Sequence, residues 1–465
     1  MKPFETRTEL LPHQAEAVAK LITSKVGALF MDMGTGKTRT VAELVHQRRH
    51  KVDKVVYFCP VVPKATVYRE LRKHTTSEDV YVFDDKTCES NLPDASWYIV
   101  GIESMSSSAR VVGAVNKLIT KKTYVIVDES SYIKGHKSLR TQRIIMLSEI
   151  ARYRNILTGT PISQGVVDLY SQMKFLSPKI LGYNSFYSFA ANHLEYDDRR
   201  PGMIVRSHNE EYLAAKIKPY VYQVTKDECL ELPPKMHECY SFHMGDEQSY
   251  YYQQIKNDMF DLLDAYDENY TMTSYIIFKL FTSLQQVVSG FHPQYGEFDN
   301  PRLEMLEHVV WSLPEDEKAV IFCKYAYDVD VITKTLGEDF PVAWFDGRKN
   351  TKQRQQAIDD FANGSRFLVV TQSTGGHGLN LQDYANHAIF YNNGFKYSER
   401  IQAEDRLHRI GQQSKVTYID LFCHCGIDDR IESALRNKGD VVENFRDEVE
   451  KVKDHNQRKS LIKML

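Results

Sequence analysis

The sequence predicts an α/β protein built on two parallel β-sheets. Short apolar runs alternate with helix-forming stretches, a pattern typical of parallel sheets covered by helices on both faces. The runs form two clusters, separated by a more helical stretch from about residue 165 to 310, so we expect two sheet lobes with a helical insertion between them. The predicted strands are residues 54–60, 98–101, 123–129 and 154–160 in the first cluster, and 319–324, 366–371, 388–392 and 416–423 in the second.

Length and composition indicate an ordinary globular protein. The chain has 465 residues, 42% hydrophobic and 26% charged, which suits about two to three domains. A net charge of -3 neither indicates nor excludes nucleic-acid binding, because a basic groove can coexist with a neutral average. We expect an N-terminal lobe with a helical extension (1–225), a helical linker (226–305), a C-terminal lobe (306–435) and a single C-terminal helix (436–465).

Membrane and secretory classes are not expected. No apolar run approaches the roughly 18 residues of a membrane span, and the start MKPFETRTELLPHQ lacks the apolar core of a signal peptide. The seven cysteines have no paired spacing, and Cys423-His424-Cys425 has no matching second ligand pair, so we expect reduced thiols and no structural metal. An intracellular location follows.

The run MDMGTGKT, residues 31–38, lies between an apolar run and a helix-forming stretch. Such a loop directs backbone N–H groups and the positive end of the helix dipole towards phosphate. Lys37 is placed to reach the β and γ phosphates and Thr38 to hold Mg2+, although Met31 stands where the usual motif has its first glycine. A glycine-rich strand-to-helix turn is the alternative. The residues expected to surround the phosphates are Gly34, Thr35, Gly36, Lys37 and Thr38.

The second motif, VIVDESS, is an apolar strand that ends in two carboxylates. An acidic residue at a strand end can hold Mg2+, and a neighbouring one can polarise the attacking water. We therefore assign Asp128 to Mg2+ and Glu129 to water. A surface turn is the alternative, but the loop upstream favours the catalytic interpretation.

The third motif, QAEDRLHRIGQ, occupies residues 402–412 in the second strand cluster. Arg406 and Arg409 are three apart on a predicted helical stretch, so we expect them to share one face and to stabilise charge on a transferring phosphoryl group. The alternative is a solvated basic face paired with Glu404 and Asp405.

Together these motifs resemble the helicase-like ATPases of superfamily two, specifically the Swi/Snf family of double-stranded DNA translocases. The most discriminating run is DRLHRIGQ, residues 405–412. The other matching stretches, in the order of the family, are LPHQ (11–14), CPVVPKATVYREL (59–71), VDESSYIKG (127–135), LTGTPI (157–162), DLYSQMKFLSP (168–178), TKDECLELPPK (225–235), LQQVVSGF (284–291), FDGRKNTKQRQQAIDDF (345–361) and STGGHGLNL (373–381).

The resemblance implies that the lobes are RecA-like, that ATP and Mg2+ are the cofactors, and that ATP binds between the lobes. It also implies further roles. Those roles are adenine contact for Gln14, coupling of the ATP and DNA sites for Thr158 and Thr160, a sensing loop for Gly376, Gly378 and Asn380, a place beside the two arginines for Gln402, and contact with the sugar-phosphate backbone for Lys64, Ser104 and Thr371.

Three departures from the family pattern concern the coupling of ATP turnover to movement. Ser131 replaces a histidine of the acidic motif, Ser373 replaces an arginine, and VYQVTK carries no arginine before its Thr-Lys pair. None of them removes a catalytic group.

The resemblance predicts an ATP-dependent DNA translocase that tracks on duplex DNA. Because phosphate contacts carry little sequence information, we expect sequence-independent, salt-sensitive binding. The compact length is similar to that of bacterial and viral relatives, so we expect the cytoplasm of a bacterial cell or a virus-infected host as the location. We expect a monomer, and a protein partner stays open. Two alternatives stay open: a strand-separating DNA or RNA helicase, and a nucleotide-gated binding protein with slow turnover.

Overall fold

The computed structural model describes residues 1–162, 165–196, 204–265, 272–375, 380–452 and 455–465. The chain divides into two units, Met1–Glu231 and Leu232–Leu465, and each contains one large parallel sheet. The predicted α/β class with two parallel-sheet lobes is therefore confirmed. Within the described ranges, no helix is both long and apolar enough to cross a membrane.

The first unit is organised around a seven-stranded parallel sheet. The strands of this unit are β1 (Val26–Met31), β2 (Lys54–Cys59), β3 (Val80–Val82), β4 (Trp97–Gly101), β5 (Thr123–Asp128), β6 (Tyr153–Thr158), β7 (Leu194–Tyr196), β8 (Ile204–Ser207) and β9 (Val221–Val224). Of these, β7 and β8 form a separate small antiparallel pair. The order in the large sheet is β3-β4-β2-β5-β6-β1-β9, with every neighbouring pair parallel. The strand that leads into the loop at residues 31–38, β1, therefore lies between β6 and β9.

Helices connect these strands and cover the sheet. They are α1 (Pro12–Leu21), α2 (Lys37–Arg48), α3 (Lys64–His74), α4 (Ser104–Ser107), α5 (Ala109–Leu118), α6 (Leu139–Ser148), α7 (Val167–Leu176), α8 (Pro178–Leu181), α9 (Phe186–His193), α10 (Glu210–Ile217) and α11 (Lys226–Cys229), with 3-10 turns at Arg49–Lys51, Glu89–Asn91, Ser130–Ile133 and Lys218–Tyr220. The side chains of successive strand residues lie on opposite faces of the sheet and belong to different apolar cores. In β2, Val56 and Phe58 belong to one core, and Val55, Tyr57 and Cys59 belong to the other. This alternation explains why the strands read as continuous apolar runs.

The second unit repeats the plan with a six-stranded parallel sheet. Its strands are β10 (Lys235–Phe242), β11 (Phe291–His292), β12 (Gly296–Glu297), β13 (Ala319–Cys323), β14 (Val342–Phe345), β15 (Phe367–Thr371), β16 (His387–Phe390) and β17 (Val416–Cys423). Its helices are α12 (Asp246–Ala265), α13 (Ser274–Val288), α14 (Pro301–Ser312), α15 (Ala326–Leu336), α16 (Thr351–Asn363), α17 (Gln372–Gly375), α18 (Tyr397–Glu404), α19 (Gly426–Arg436), α20 (Val441–Lys451) and α21 (His455–Lys463). The order is β10-β17-β16-β13-β15-β14, and β11 and β12 form a separate antiparallel pair.

All eight predicted strands exist, but the region predicted to be helical also contains strands. β10 pairs with β17 over eight residues although most of its side chains are exposed. An exposed edge strand lacks the apolar run by which a buried parallel strand is recognised, so its pairing is decided by the neighbouring strand.

The C-terminal segment is also different from the single helix expected from residue 436 onward. α20 ends at Lys451, where Val452 has extended backbone angles, and α21 is a separate helix. Ile462 and Leu465 belong to the apolar core of the second unit, so packing determines the course of this segment.

A buried ion pair joins α14 to α19. Arg302 is 1% exposed, and its Nη2 atom donates to Asp428 Oδ2 at 2.7 Å while Nη1 donates to the Tyr391 carbonyl at 2.6 Å. Removing one partner leaves a buried carboxylate without its counter-charge. We expect Arg302→Ala to lower the free energy of unfolding by about 3–5 kcal/mol, measured by urea denaturation. Arg436→Ala, at a side chain 75% exposed, is the control and should change it by less than about 0.5 kcal/mol. Equal effects would contradict this prediction.

Candidate functional site

The loop at residues 31–38 follows β1 and leads into α2. Gly34 and Gly36 have φ angles of 80° and 88°, in the left-handed region that glycine adopts without strain. A Cβ atom at position 36 would lie 2.2 Å from Gln14 Nε2. The backbone conformation therefore favours glycine at position 36, and a side chain there would also displace the Gln14 amide.

Residues of α1 hold the middle of the loop. Gln14 Nε2 donates to the Thr35 carbonyl at 3.0 Å, and His13 Nε2 lies 2.8 Å from the same oxygen. Thr35 is fully buried, and its hydroxyl donates to the Asp32 carbonyl at 2.7 Å. The contact of Gln14 with adenine stays a prediction, whereas the structure assigns its amide to support of the loop.

Lys37, the first residue of α2, directs its ammonium group back across the loop. Its Nζ atom donates to the carbonyl of Met31 at 2.9 Å and to that of Asp32 at 3.3 Å. Both carbonyls lie where β1 passes into the loop. The loop therefore surrounds a positive charge at the helix N-terminus, a combination that suits a phosphate group.

The acidic strand end lies close to Lys37. β5 ends at Asp128, whose Oδ2 accepts from the Tyr57 hydroxyl at 2.9 Å, and the Thr38 side chain lies close enough to that hydroxyl to affect its pKa. Burial raises the pKa of Asp128, and the positive charge of Lys37 opposes that rise. One tyrosine of β2 thus lies near both predicted Mg2+ ligands. Tyr57 stands within an apolar strand and no motif marks it, so its place at the site is not evident from the sequence.

The ligand set suits Mg2+ bound together with a nucleotide. Within the described part of the chain, no group of three or more His, Cys, Asp and Glu side chains could hold a metal ion alone. A nucleotide-bound Mg2+ needs few protein ligands, because it is commonly held by one or two carboxylates, substrate phosphates and water. Thr38 and Asp128, which both lie near the Tyr57 hydroxyl, fit that pattern.

Glu129 has an uncommon backbone conformation. Its φ angle is 49°, in the left-handed region, and its N–H donates to Asp128 Oδ1 at 3.0 Å. Few residues other than glycine occupy this region, and such conformations are found disproportionately at functional sites. The turn separates Glu129 from the strand direction of β5 and starts the 3-10 turn that follows.

The segment after β6 contacts both the loop and the acidic turn. A Cβ atom on Gly159 would lie 3.3 Å from the backbone nitrogen of Met33, so the two segments approach closely. Gln172 of α7 joins the same segment to the acidic turn. Its Oε1 accepts from Ser130 Oγ at 2.6 Å, and its Nε2 donates to the Pro161 carbonyl at 2.8 Å.

The two threonines of this segment are joined to each other. Thr158 is fully buried, and its hydroxyl accepts from the Thr160 N–H at 3.1 Å. Both therefore lie next to the loop and the acidic turn. Their coupling role stays a prediction.

The predicted backbone contacts of the first unit follow β2 and β4, at the same carboxyl edge of the sheet as the loop. Lys64 begins α3 and donates from Nζ to the Phe83 carbonyl at 2.6 Å, and Ser104 begins α4. The Val61 N–H donates to Glu103 Oε2 at 3.0 Å and so joins the two connections. Their contact with nucleic acid stays a prediction.

In the second unit, the expectation that Arg406 and Arg409 share a helical face is wrong. α18, which contains Gln402, ends at Glu404, and both arginines lie in the turns that follow. Arg406 is 4% exposed and donates from Nε to the Gln402 carbonyl at 2.9 Å. The more exposed Arg409 donates from Nη1 to Asn380 Oδ1 at 2.7 Å.

The structure brings Arg409 and Asn380 together although they are 29 residues apart in the chain. Thr371 ends β15, is 6% exposed, and its hydroxyl hydrogen-bonds with that of Thr374. Gly376 and Gly378 lie outside the described residues. The roles assigned to all these residues stay predictions.

Comparison with protein families gives two matches that follow one another along the chain. Residues 13–292 match the SNF2-related domain, and residues 301–411 match the helicase conserved C-terminal domain. The first match includes the nucleotide loop and the acidic turn, and the second includes Asn380 and both arginines.

Among individual proteins, the chain is similar to TATA-binding protein-associated factor mot1 of Aspergillus fumigatus, with 24% identity over 95% of this chain and 27% of the relative. The ISWI chromatin-remodeling complex ATPase ISW2 of Saccharomyces cerevisiae is 24% identical over 87% of this chain and 38% of its own length. An uncharacterized ATP-dependent helicase of Mycoplasma genitalium is 25% identical over 90% and 40%. The chain therefore spans about a quarter to two fifths of the length of these relatives.

Among solved structures, the Sulfolobus solfataricus SWI2/SNF2 ATPase core in complex with dsDNA has 22% identity and a TM-score of 0.43, covering 100% of this chain and 97% of its own. The family assignment depends on the domain match, which by itself covers more than half of the 465 residues. The chain belongs to the SNF2-related family of helicase-like ATPases.

Proposed function

We propose that this chain hydrolyses ATP and uses the cycle to move along double-stranded DNA. The observation that carries the proposal is that Lys37, bonded to the carbonyls of the loop at residues 31–38, acts on the Asp128 carboxylate, which the Tyr57 hydroxyl holds. Family membership supports ATP as the nucleotide. The relatives include a chromatin-remodeling ATPase, and one similar solved core is bound to dsDNA, which supports duplex DNA as the track.

In the proposed reaction, Lys37 and the N–H groups of the loop bind the phosphates. Thr38 and Asp128 hold Mg2+, which supplies charge neutralisation when it is bound. Glu129 orients the attacking water, and Arg409 and Arg406 stabilise the charge that develops on the transferring phosphoryl group. Phosphoryl transfer requires little covalent chemistry from the protein, so positioning and electrostatics account for most of the rate.

The DNA part of the proposal rests on residues at the carboxyl edges of the two sheets. Lys64 and Ser104 begin helices after β2 and β4, and Thr371 ends β15. We propose that they contact the sugar-phosphate backbone. Such contacts position a protein on DNA without reading the sequence, so sequence-tolerant tracking follows.

The test is the ATP hydrolysis rate without nucleic acid and with single-stranded DNA, duplex DNA or RNA, using Lys37→Ala as the blank. We expect duplex DNA to give the largest stimulation, by about tenfold or more. Greater stimulation by single strands or RNA would favour a conventional helicase. Hydrolysis without stimulation by any nucleic acid would contradict the DNA part alone and favour a nucleotide-gated factor with a protein partner.

A further inference from the structure

The second residue of the nucleotide loop is bonded to the segment that leads out of the first unit. Asp32 Oδ2 accepts a hydrogen bond from the Lys226 N–H at 2.9 Å, across 194 residues of sequence. The Asp32 N–H in turn donates to the Val224 carbonyl at 3.2 Å. Side chain and backbone of one loop residue therefore hold both sides of Thr225.

The same residue is bonded to the phosphate-binding side of the loop. The Asp32 carbonyl accepts from Lys37 Nζ at 3.3 Å and from the Thr35 hydroxyl at 2.7 Å. Asp32 is thus bonded to two lysines. Its backbone carbonyl accepts from the Lys37 ammonium, and its carboxylate accepts from the Lys226 backbone N–H. A change in the position of the Lys37 ammonium acts directly on Asp32.

The segment that Asp32 holds leads to the second unit. β9 pairs with β1 so that Val224 stands beside Met31, and α11 starts two residues later at Lys226. The first unit ends at Glu231 and the second begins at Leu232, so α11 is the last helix before the chain passes between them.

The negative charge of Asp32 also acts on the far end of α11. Burial raises the pKa of Cys229, and the Asp32 carboxylate is the largest electrostatic contribution to that rise. Lys226 is 6% exposed. The Asp32 carboxylate is therefore bonded to the first residue of α11 and acts electrostatically on its last one.

We propose that Asp32 is a positioning residue that transmits phosphate occupancy of the loop to the connection between the two units. The inference rests on the proposed ATPase function. A phosphate group in the loop competes with the Met31 and Asp32 carbonyls for the Lys37 ammonium. When Lys37 turns to phosphate, the Asp32 backbone loses a charged donor, and its carboxylate carries the resulting shift to Lys226 and α11.

The test removes one N–H without altering the loop. Lys226→Pro deletes the donor, and Lys226→Ala deletes the same ammonium group but keeps the donor, so their comparison isolates the bond to Asp32. Proline is tolerated at the first position of a helix, and Thr225, with φ -88° and ψ 162°, already has the extended conformation required before proline. Equal melting temperatures of the two variants establish that both are folded.

Hydrogen exchange of the amides at 227–231 is measured with and without a slowly hydrolysed ATP analogue, beside the DNA-stimulated ATPase rate. We expect the analogue to change exchange by about tenfold in wild type and Lys226→Ala, and by less than about twofold in Lys226→Pro, whose DNA stimulation falls by about tenfold. Nucleotide affinity should agree within about threefold between the two variants, since neither alters the phosphate site.

Asp32→Ala is the second variant, and it should abolish the exchange response in the same way. Equal exchange responses in Lys226→Pro and Lys226→Ala would overturn this inference alone. Loss of nucleotide binding in wild type would instead overturn the proposed function, and the inference with it. Nucleotide binding without DNA stimulation leaves the exchange comparison as the deciding measurement.

Discussion

Arg409→Ala is expected to lower the rate of ATP hydrolysis by about 10^3–10^5, the range found when an arginine that stabilises phosphoryl transfer is removed. Arg409 and Arg406 differ in their exposure and in their hydrogen-bond partners. Arg406 is 4% exposed and bound to the Gln402 carbonyl, so its removal also disturbs the turn, whereas Arg409 is more exposed and held through Asn380 Oδ1. Arg409 is thus the variant with the simpler interpretation.

The measurement is a single-turnover hydrolysis rate at saturating ATP, together with the affinity for a fluorescent ATP analogue. The rate should fall while affinity changes by less than about tenfold, because the interaction is made chiefly in the transition state. Arg436→Ala is the matched control, since this arginine of the same unit is 75% exposed and pairs with Glu432. A rate for Arg409→Ala within tenfold of the control would refute the assignment.

Asn380→Ala examines how Arg409 is held. Its Oδ1 accepts from the guanidinium at 2.7 Å, so we assign it as a positioning residue. Its loss should lower kcat less than the loss of Arg409 does and leave KM nearly unchanged, because it acts through the arginine. A kcat equal to that of wild type would mean that Arg409 is oriented without this bond.

Glu129→Gln is expected to lower hydrolysis by about 10^2–10^4 while ATP binding is kept, because glutamine has the shape of glutamate without the charge that polarises water. The substitution leaves the backbone bond from residue 129 to Asp128 Oδ1 in place. The left-handed φ of 49° should therefore survive, so the comparison concerns the carboxylate alone.

Two control variants distinguish an effect on ATP binding from an effect on ATP hydrolysis. Lys37→Ala removes the cation that faces the loop carbonyls and should lose both ATP binding and hydrolysis. Glu149→Gln, at an exposed position of the same unit, should leave both unchanged. Full activity of Glu129→Gln would assign activation of water to another group.

The sequence was informative where local pattern and tertiary structure coincide. Parallel strands buried on both faces read as apolar runs, which is why the central strands were predicted within a residue or two of their observed ends. β10 was missed because seven of its eight residues are not buried, and its pairing with β17 depends on a partner 181 residues away. Pairing across such distances leaves no periodic signal in the segment itself.

Tyr57, Arg409 and the end of α20 are further features that depend on tertiary structure and that no local sequence pattern indicates. The role of Tyr57 depends on Thr38 and Asp128 meeting one hydroxyl, which no motif in β2 records. Arg406 and Arg409 have helical spacing, but α18 ends before both of them. The charged C-terminal segment has the composition of one helix, yet Val452 is extended and α20 ends beside it.

The sequence by itself determined the class of the fold, the family, and the residue types of the nucleotide loop and the acidic turn, because phosphate binding and buried parallel strands both impose strong local constraints. Only the tertiary structure decided which side chains support them. The bond from Asp32 to Lys226 spans 194 residues, and the contact of Arg409 with Asn380 spans 29. Hydrogen bonds of this kind need one donor and one acceptor in a particular geometry, and many residue types satisfy that requirement, so the sequence alone does not indicate them.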